Sequence, residues 1–265
     1  MHNLFKPVQP EWNRKLSNIV SRECTSHFRS SISFVYQFEF RSTVEQEILL
    51  PSIPDGCLDL IFNLNGDLND CYLIPSPKAR KNLTFKTNNV YFGIRLLPLQ
   101  SVFSFDLTIG EINHHTYLSL FETNAELIQL YEKLMHLQTI DQRLQAVEAY
   151  LSQSTTTCIT HSTIMSCCLD LALTAKGNLH VKELESLTCY SERYLRKLFQ
   201  QEIGISPKSF LETIYFQFTL HEMLRGDFNV ENHLSTNDLD DVSQFSKKFK
   251  KLTNMTPIKY QKLII

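Results

Sequence analysis

Two groups of basic and polar side chains lie close together in the C-terminal third of the chain. The first group is Arg193, Arg196, Lys197 and Gln200. The second group is Ser243, Ser246, Lys247, Lys250 and Lys251. An arginine can donate two hydrogen bonds to the O6 and N7 atoms of guanine, and a lysine can neutralise a backbone phosphate. The basic residues therefore predict contact with double-stranded DNA, provided that helices expose them on one face.

The stretch that holds both groups repeats itself at a fixed interval. FQQEIGISPKSF (199–210) aligns without a gap with FKKLTNMTPIKY (249–260), so that Gly204 matches Asn254 and Ser206-Pro207 matches Thr256-Pro257. Self-similarity at a fixed period indicates a repeated structural unit. The sequence therefore predicts two copies of one helix-turn-helix-like unit.

The first copy has the pattern of two short helices followed by a longer one. The apolar positions of the two short helices are Val181, Leu184 and Leu187, then Leu195, Leu198 and Phe199. Ser191 is placed to cap the second helix, whose outer face then carries the first basic group. Gly204 can take the left-handed conformation that ends a helix, and Ser206-Pro207 predicts a further helix from 207 to about 224.

In the second copy, a helix is predicted to begin near residue 242. Phe245 and Phe249 point to the core on this helix. Ser243, Ser246, Lys247 and Lys250 recur at spacings of three and four, so they share one outer face.

The motifs RYLRKLF (193–199), GISPKSF (204–210) and NMTPIKY (254–260), the last directly after FSKKFKKLT, resemble the DNA-binding domain of AraC-type (AraC/XylS family) transcription regulators. The resemblance covers roughly 165–265. It implies two helix-turn-helix units joined by one long helix, each reading a successive stretch of major groove. Ser243, Ser246 and Lys247 match the base-facing positions of the family, and Lys250 or Lys251 would meet phosphate. The resemblance also implies an activator, with RNA polymerase as a candidate partner.

Several positions depart from the family pattern. Glu185 stands where the family usually has alanine, and Cys189-Tyr190 replaces a glycine-containing turn, so close helix packing there requires some rearrangement. The first helix of the second unit, expected around 229–237, offers only Val230 and Leu234 as apolar positions. Three aspartates follow it, Asp238, Asp240 and Asp241. Two interpretations stay open: Asp241 caps the next helix with Gln244 completing a capping box, or the second unit is weakened for DNA.

The N-terminal part is predicted to be rich in strands. In SISFVYQFEF (31–40) apolar and aromatic residues alternate with others, which predicts a half-buried strand, and short apolar runs follow at 57–64, 71–74 and 90–97. We expect these strands to close on themselves. PDGCLDLIFNL (54–64) with FGIRLLP (92–98) resembles a small barrel-like domain that often precedes AraC-type DNA-binding domains, although this resemblance supplies no ligand.

After residue 100 the periodicity becomes helical. Thr123 with Glu126 and Thr139 with Gln142 have the spacing of capping boxes and predict an antiparallel helix pair. The pair either forms a dimer contact or covers the barrel. The expected fold class is α+β, with a β-rich sensing or dimerisation domain at 1–155, a Ser/Thr-rich linker at 156–162 and an all-α double helix-turn-helix domain at 163–265.

Composition limits the other functional classes. The net charge is −2, and residues 178–265 carry 12 Lys/Arg against 11 Asp/Glu, so DNA affinity must come from clustering rather than from domain-wide charge. The sequence contains neither a run of about 20 apolar residues nor a signal-peptide pattern, which predicts a cytoplasmic protein without membrane association. Seven cysteines without a C-x-x-C pair argue against disulfides and against a cysteine zinc site.

Three features could indicate an enzyme. His114-His115 would lie on opposite sides of a strand, which does not suit a metal site. Asp55 and Asp59 could form a carboxylate pair, but Pro-Asp-Gly is first a turn in which Asp55 bonds its own backbone. Cys57 lacks an evident histidine partner for nucleophilic chemistry. We therefore expect no enzyme activity, no cofactor and no metal.

The sequence thus predicts a DNA-binding transcription regulator controlled through its N-terminal domain. Double-stranded DNA is the expected partner, and a small-molecule effector and a second copy of the chain are further candidates. Two alternatives remain: a regulator with a degenerate second helix-turn-helix that acts mainly through protein contacts, and a ligand-binding or enzymatic barrel with an accessory DNA-binding domain.

Overall fold

The computed structural model describes residues 5–16, 18–25, 27–66, 68–153, 161–226, 228–230, 233 and 242–265. Strands and short helices make up the part before 154, and helices alone make up the part after 160. The α+β class expected from the sequence is confirmed.

The strands of the N-terminal part form two antiparallel sheets. The larger sheet has the order β1 (Val20–Arg22), β2 (Ile32–Glu39), β7 (Val90–Leu96), β4 (Leu58–Asn63), β5 (Tyr72–Pro75) and β8 (Leu118–Ser119). The smaller sheet pairs β3 (Glu47–Ser52) with β6 (Lys81–Lys86). In the described part of the chain the sheets enclose a core by packing face to face, so the expected closure does not come from one continuous ring of hydrogen-bonded strands.

Strand β2 is buried on both faces, which corrects the expectation of a half-buried strand. Tyr36, Phe38 and Phe40 pack between the two sheets. Ile32 and Val35 belong to the core on the opposite face. The register shifts between Ile32 and Phe34, and such a bulge moves Ile32 to the face opposite to the one that strict alternation predicts.

A buried ion cluster lies where β4 and β7 meet. Arg95 is 1% exposed and donates from Nε and Nη2 to the two carboxylate oxygens of Asp59 at 2.9 and 2.8 Å. Its Nη1 lies 3.6 Å from Asp55, and its guanidinium lies 5.1 Å from the centroid of the Trp12 ring. Burial alone lowers the pKa of Arg95, but Asp59 and Asp55 outweigh burial and hold the pKa well above its ordinary value, so the group stays charged.

Two helices cover the other face of the larger sheet. These are α4 (Leu127–His136) and α5 (Ile140–Gln153), whose Leu127, Leu130 and Val147 are fully buried in the core against the sheet. Their apolar faces therefore cover the sheet, and a dimer contact would have to use their outer faces. Short helices α1 (Pro10–Lys15), α2 (Ile109–Ile112) and α3 (Leu120–Thr123) complete this part.

One of the two predicted capping boxes is present. Thr139 and Gln142 exchange backbone and side-chain hydrogen bonds at the start of α5. The Thr123 box is wrong, because the hydroxyl of Thr123 donates to the carbonyl of Leu120 at the end of α3. Asn124 replaces it and accepts from the backbone amide of Glu126.

The helical part reproduces the repeat seen in the sequence. Its helices are α6 (Thr163–Thr174), α7 (Val181–Thr188), α8 (Glu192–Glu202), α9 (Pro207–Leu224), α10 (Val242–Thr253) and α11 (Pro257–Ile264). The predicted starts of α8, α9 and α10 and the predicted end of α9 are confirmed. Helices α8 and α10 begin 50 residues apart, as do α9 and α11, and Gly204 and Asn254 both adopt positive φ, of 76° and 62°.

The N-terminal segment packs into the helical part. Phe5 joins the core of α6 to α9, and Val8 packs against the core of α9 to α11. Gln217 of α9 is fully buried and accepts from the amide of Val8 at 2.8 Å while donating to the carbonyl of Pro54 at 2.7 Å. The β-rich and helical parts are therefore joined by buried hydrogen bonds as well as by apolar contacts.

We expect Arg95→Ala to lower the free energy of unfolding by about 3–5 kcal/mol, because the substitution leaves Asp55 and Asp59 buried without their counter-charge. Arg41→Ala is the matched control, since its partner Glu39 lies 3.1 Å away but the arginine side chain is 77% exposed. That exposed pair should contribute less than about 1 kcal/mol. Equal losses for the two variants in denaturant unfolding would contradict the assigned role of Arg95.

Candidate nucleic-acid interface

Helix α8 presents the first basic group on its outer face. Ser191 caps the helix by accepting from the backbone amide of Tyr194, as predicted. Leu195, Leu198 and Phe199 are buried, whereas Arg193, Arg196, Lys197 and Gln200 are exposed. The cap and the apolar anchors therefore orient the three basic side chains outward.

Two departures from the expected motif are compensated locally. The half-buried Glu185 accepts from the first backbone amide of α8, that of Glu192, at 3.3 Å, so its carboxylate satisfies a free N–H group at a helix start. Cys189 adopts φ 61°, the left-handed conformation that a glycine would provide. Helices α7 and α8 form the first unit, and the turn between them adopts the required backbone conformation without glycine.

Arg196 is paired within its own helix. Its Nη2 donates to Glu192 Oε1, one helical turn earlier, and the arginine side chain is 66% exposed. An exposed pair of this spacing contributes only about 0.3–0.5 kcal/mol, whereas a bidentate bond to guanine contributes about 1–3 kcal/mol of discrimination. The pair is therefore too weak to prevent Arg196 from contacting a base.

Gln200 lies near the C-terminal end of α8, beside the N-terminal part of the chain. Its side-chain amide donates to the carbonyl of Gly204 and lies 3.3 Å from the place that a Cβ on Gly110 would occupy. Gln200, which was predicted to contact DNA, therefore lies beside the contact between α8 and the N-terminal part. Arg193, Arg196 and Lys197 lie nearer the start of α8 on its exposed face.

Helix α10 divides its polar residues between two faces. Phe245 and Phe249 are buried, Ser246 is half-buried, and Ser243, Lys247, Lys250 and Lys251 are exposed. Lys248 and Lys251 line a cleft toward α9, whereas Lys247 and Lys250 do not. Asp238, Asp240, Asp241 and Leu234 lie outside the described residues, so neither the predicted capping box nor the predicted repulsion can be placed.

A histidine supplies core packing that the apolar pattern of the second unit lacks. His233 is 5% exposed, and its ring lies 5.3 Å from that of Phe228 and 5.2 Å from that of Phe245. Its Nδ1 lies 2.6 Å from a Glu222 carboxylate oxygen, and its Nε2 lies 2.6 Å from the hydroxyl of Tyr215. A search for apolar residues alone therefore misses this anchor.

The N-terminal part contacts the C-terminal ends of both helices at equivalent places of the repeat. Asn113, directly after α2, donates from Nδ2 to the carbonyl of Ile203, the residue that follows α8. The backbone amide of Arg80 donates to the carbonyl of Leu252 at the end of α10, and its carbonyl accepts from Asn254 Nδ2. These contacts lie at the C-terminal ends of α8 and α10, whereas the exposed Arg193, Arg196 and Lys197 lie nearer the start of α8.

A groove of about 810 Å³ separates the two parts beside these contacts. We call it the interdomain groove. Its walls include Cys57, Lys78 and Leu107 from the N-terminal part and Glu202 and Thr213 from the helical part. At its edge, His161 bridges the parts, with Nδ1 3.1 Å from Glu202 and Nε2 3.0 Å from the carbonyl of Gln100.

The residues that could indicate an enzyme are explained by their roles and positions in the fold. Asp55 accepts from the backbone amide of Cys57 at 3.0 Å, which confirms the predicted turn. Burial, and then the charge of Asp55, raise the pKa of the Cys57 thiol well above its ordinary value, which disfavours the reactive thiolate. His114 and His115 lie in the turn after α2 and not on a strand. No group of three or more metal-ligating side chains occurs among the described residues.

The helical part also matches a known family. Residues 184–263 match the helix-turn-helix domain family model of AraC type, which covers less than half of the chain. No curated protein matches the chain. Within the ranges that the structure describes, no helix is both long and apolar enough to span a lipid bilayer.

Three solved structures of ToxT from Vibrio cholerae are similar over most of their length. A structure at 1.65 Å resolution is 12% identical, with 93% of this chain and 97% of that chain covered and a TM-score of 0.42. ToxT with a bound unsaturated fatty acid is 13% identical, with 91% and 97% covered and a TM-score of 0.43. ToxT bound to (E)-4-(8-methylnaphthalen-1-yl)but-3-enoic acid is 15% identical, with 94% and 98% covered and a TM-score of 0.39. A likeness this loose supports no statement about the ligands of the present chain.

We expect Gly204→Ala to destabilise the protein by more than about 1 kcal/mol, because φ is 76° and an alanine pays about 1–2 kcal/mol in that conformation. An added Cβ would also lie 2.7 Å from the carbonyl oxygen of Ile109 in α2. Gly110→Ala is the matched control across the same contact, because its Cβ would lie 3.3 Å from the flexible Gln200 amide and an ordinary 3.5 Å from the Gln200 carbonyl oxygen. If both variants unfold at the same denaturant concentration, the contact between α2 and the end of α8 is not as close as described.

Proposed function

We propose that the chain is an AraC-type transcription regulator that binds DNA with α8 and α10 and is controlled through its N-terminal domain. One observation carries the proposal. The C-terminal ends of both helices contact the β-rich part at equivalent places of the repeat, through Ile203 and through Leu252 with Asn254. Arg193, Arg196 and Lys197 in the first half of α8 and Lys247 in the middle of α10 are exposed and lie before these contacts along their helices.

This arrangement supports sequence-specific contact by the first unit. Arg193, Arg196 and Lys197 are exposed on a helix that is capped at its start and anchored by three buried apolar residues. A rigid helix allows an arginine to present its planar donors to the edge of a guanine. Arg196 is therefore the residue that we assign to base recognition, with Arg193 and Lys197 at bases or phosphates.

The second unit is proposed to make weaker contacts of the same kind. Ser243, Ser246 and Lys247 would face bases, and Lys250 and Lys251 would meet phosphates. Serine offers no bidentate pairing comparable to that of arginine, so this unit discriminates less. The alternative of a degenerate second unit that acts through protein contacts loses part of its support, because His233 supplies the missing core contact.

We infer control through the N-terminal domain from its contacts with the ends of α8 and α10. Any compound or partner that altered the interdomain groove would touch both parts and would therefore change how α8 and α10 are held. A small-molecule effector in this groove, a second copy of the chain on the outer faces of α4 and α5, and RNA polymerase as the partner in activation are the extensions that we propose. The chain is expected to work in the cytoplasm, where its DNA is.

Selection of bound duplexes from a random pool tests the proposal directly. We expect enrichment of an asymmetric site of about two helical turns, because two units joined in tandem reach successive major-groove segments. Protection of the selected site against cleavage should span the same length. A pool that shows no enrichment would refute sequence-specific binding, and protection of a single turn would refute contact by the second unit.

Helices α8 and α10 should contribute unequally to the free energy of DNA binding. We expect Arg196→Ala to weaken binding to the selected site far more than binding to random DNA, with a loss of discrimination of about 1–3 kcal/mol. Lys247→Ala should cost less affinity than Arg196→Ala. Arg41→Ala controls for the removal of one positive charge at an exposed position of the N-terminal part. A larger loss for Lys247→Ala than for Arg196→Ala, measured by titration at fixed salt, would reverse the assigned order of the units.

A further inference from the structure

Besides the interdomain groove, a cavity lies between the two helix-turn-helix units of the helical part. It has a volume of about 700 Å³ and is bounded by the start of α7, by α9 and by α10, with Glu192 of α8 at one edge. We call it the inter-unit cleft. It is separate from the faces of α8 and α10 to which base contact is assigned.

The charged side chains at the inter-unit cleft are mostly basic. Four lysines reach it, Lys182 of α7, Lys208 of α9, and Lys248 and Lys251 of α10. Two carboxylates reach it as well, Glu192 and Glu212. Glu192 is already paired with Arg196. None of the four lysines forms an ion pair within the ranges that the structure describes, and all four are exposed.

Like charges that converge on one cleft repel one another. Within a Debye length of about 8 Å at physiological salt, this repulsion is only partly screened. A ligand that carries several negative charges at a regular spacing would relieve it. A polyanion therefore fits the cleft better than a neutral ligand does.

The floor of the cleft is apolar, in contrast to its rim. Leu211 and Phe216 of α9 and Phe245 and Phe249 of α10 lie beneath the lysines. A nucleic acid strand has the matching combination, since its deoxyribose carbons are apolar and its phosphates carry one charge per residue. The lysine stems are long enough to lie along apolar surface while their ammonium groups reach outward.

The position of the cleft identifies which polyanion would enter it. On one side, Glu192 joins the cleft to Arg196 on the face of α8. On the other side, Lys248 and Lys251 each follow directly after Lys247 and Lys250, which lie on the outer face of α10. A duplex that lay on both faces would carry its backbone across the cleft between them.

We propose that the inter-unit cleft binds the sugar-phosphate backbone of the DNA segment between the two major-groove contacts, with Lys182, Lys208 and Lys248 joining Lys251, which is already assigned to phosphate, at this backbone. The inference rests on the proposed function and adds a third contact region to it. Contacts to phosphates fix the position of a protein on the duplex without reading its sequence. The cleft would therefore contribute to affinity and to the placement of the two units, but not to base discrimination.

The salt dependence of binding tests the proposal with the full-length chain and the selected duplex. Each lost phosphate contact lowers the slope of log affinity against log salt by about 0.9, which is about three- to fourfold in affinity between 50 and 200 mM salt. We expect Lys208→Ala and Lys248→Ala each to lower the slope by this amount and the double variant to lower it by about twice as much. The ratio of cognate to random affinity should stay unchanged.

Two control variants test whether a change in salt slope comes from the positive charges in the inter-unit cleft. Arg41→Ala removes an exposed positive charge of the N-terminal part and should leave the slope unchanged. Lys208→Arg keeps the charge and should keep the slope. Because all four lysines are exposed, the variants should unfold at the same denaturant concentration as the parent chain.

Neutral methylphosphonate linkages locate the contact on the DNA. Placed between the two protected segments, they should weaken binding by the parent chain more than binding by the Lys208→Ala, Lys248→Ala double variant, which keeps only Lys182 and Lys251 at these phosphates. Equal weakening of both proteins, or an unchanged salt slope in the double variant, would overturn the cleft as a DNA site, and loss of transcription with an unchanged slope would point to an acidic protein partner instead. These results are distinguishable from failure of the proposed function, in which the parent chain itself selects no duplex.

Discussion

Helix α9 carries the constraint on which the rest of the helical part depends. It runs from Pro207 to Leu224 and is buried on most of its sides. Its first half packs in the core of α6 to α8, its second half packs with α10 and α11, and Gln217 bonds to the N-terminal part at Pro54. Eighteen residues of helix span about 27 Å, which is of the order of one turn of DNA at about 34 Å. One rigid element thus sets the spacing of the two units and their relation to the β-rich part.

Features that are local in sequence were predictable. The repeat at 50 residues, the Ser191 and Ser206 caps and the left-handed Gly204 all follow from chemistry within a few residues. The smaller sheet was missed, because β3 lacks clear alternation and β6 offers only Leu83 and Phe85 at alternate positions; Leu49 in the middle of β3 is 50% exposed. The burial of β2 on both faces was missed as well, since it depends on a bulge and on layers from distant parts of the chain.

The same distinction applies to the candidate site. The exposed basic residues of α8 and α10 could be predicted from helical spacing, and the structure places them on exposed helix faces. The inter-unit cleft could not be predicted, since Lys182 and Lys248 lie far apart in the sequence and meet only through the packing of α7 and α10 on α9. The departures at Glu185 and Cys189 were visible in the sequence, but their compensation was not, because it depends on one hydrogen bond and one backbone angle.

The hydrogen bonds at the ends of α8 and α10 are weak enough for these helix ends to be released while other contacts keep the two parts joined. Among the residues that the structure describes, three hydrogen bonds join the N-terminal part to the ends of α8 and α10. A typical hydrogen bond contributes a net of about 0.5–1.5 kcal/mol, so these bonds together contribute a few kcal/mol. Moving a two-state equilibrium from one form almost entirely to the other requires about 5.5 kcal/mol of differential binding. A ligand or a DNA site that favours one placement of the helices can therefore compete with these three bonds, whereas the buried bonds of Gln217 and the apolar contacts of Phe5 and Val8 would keep the two parts joined.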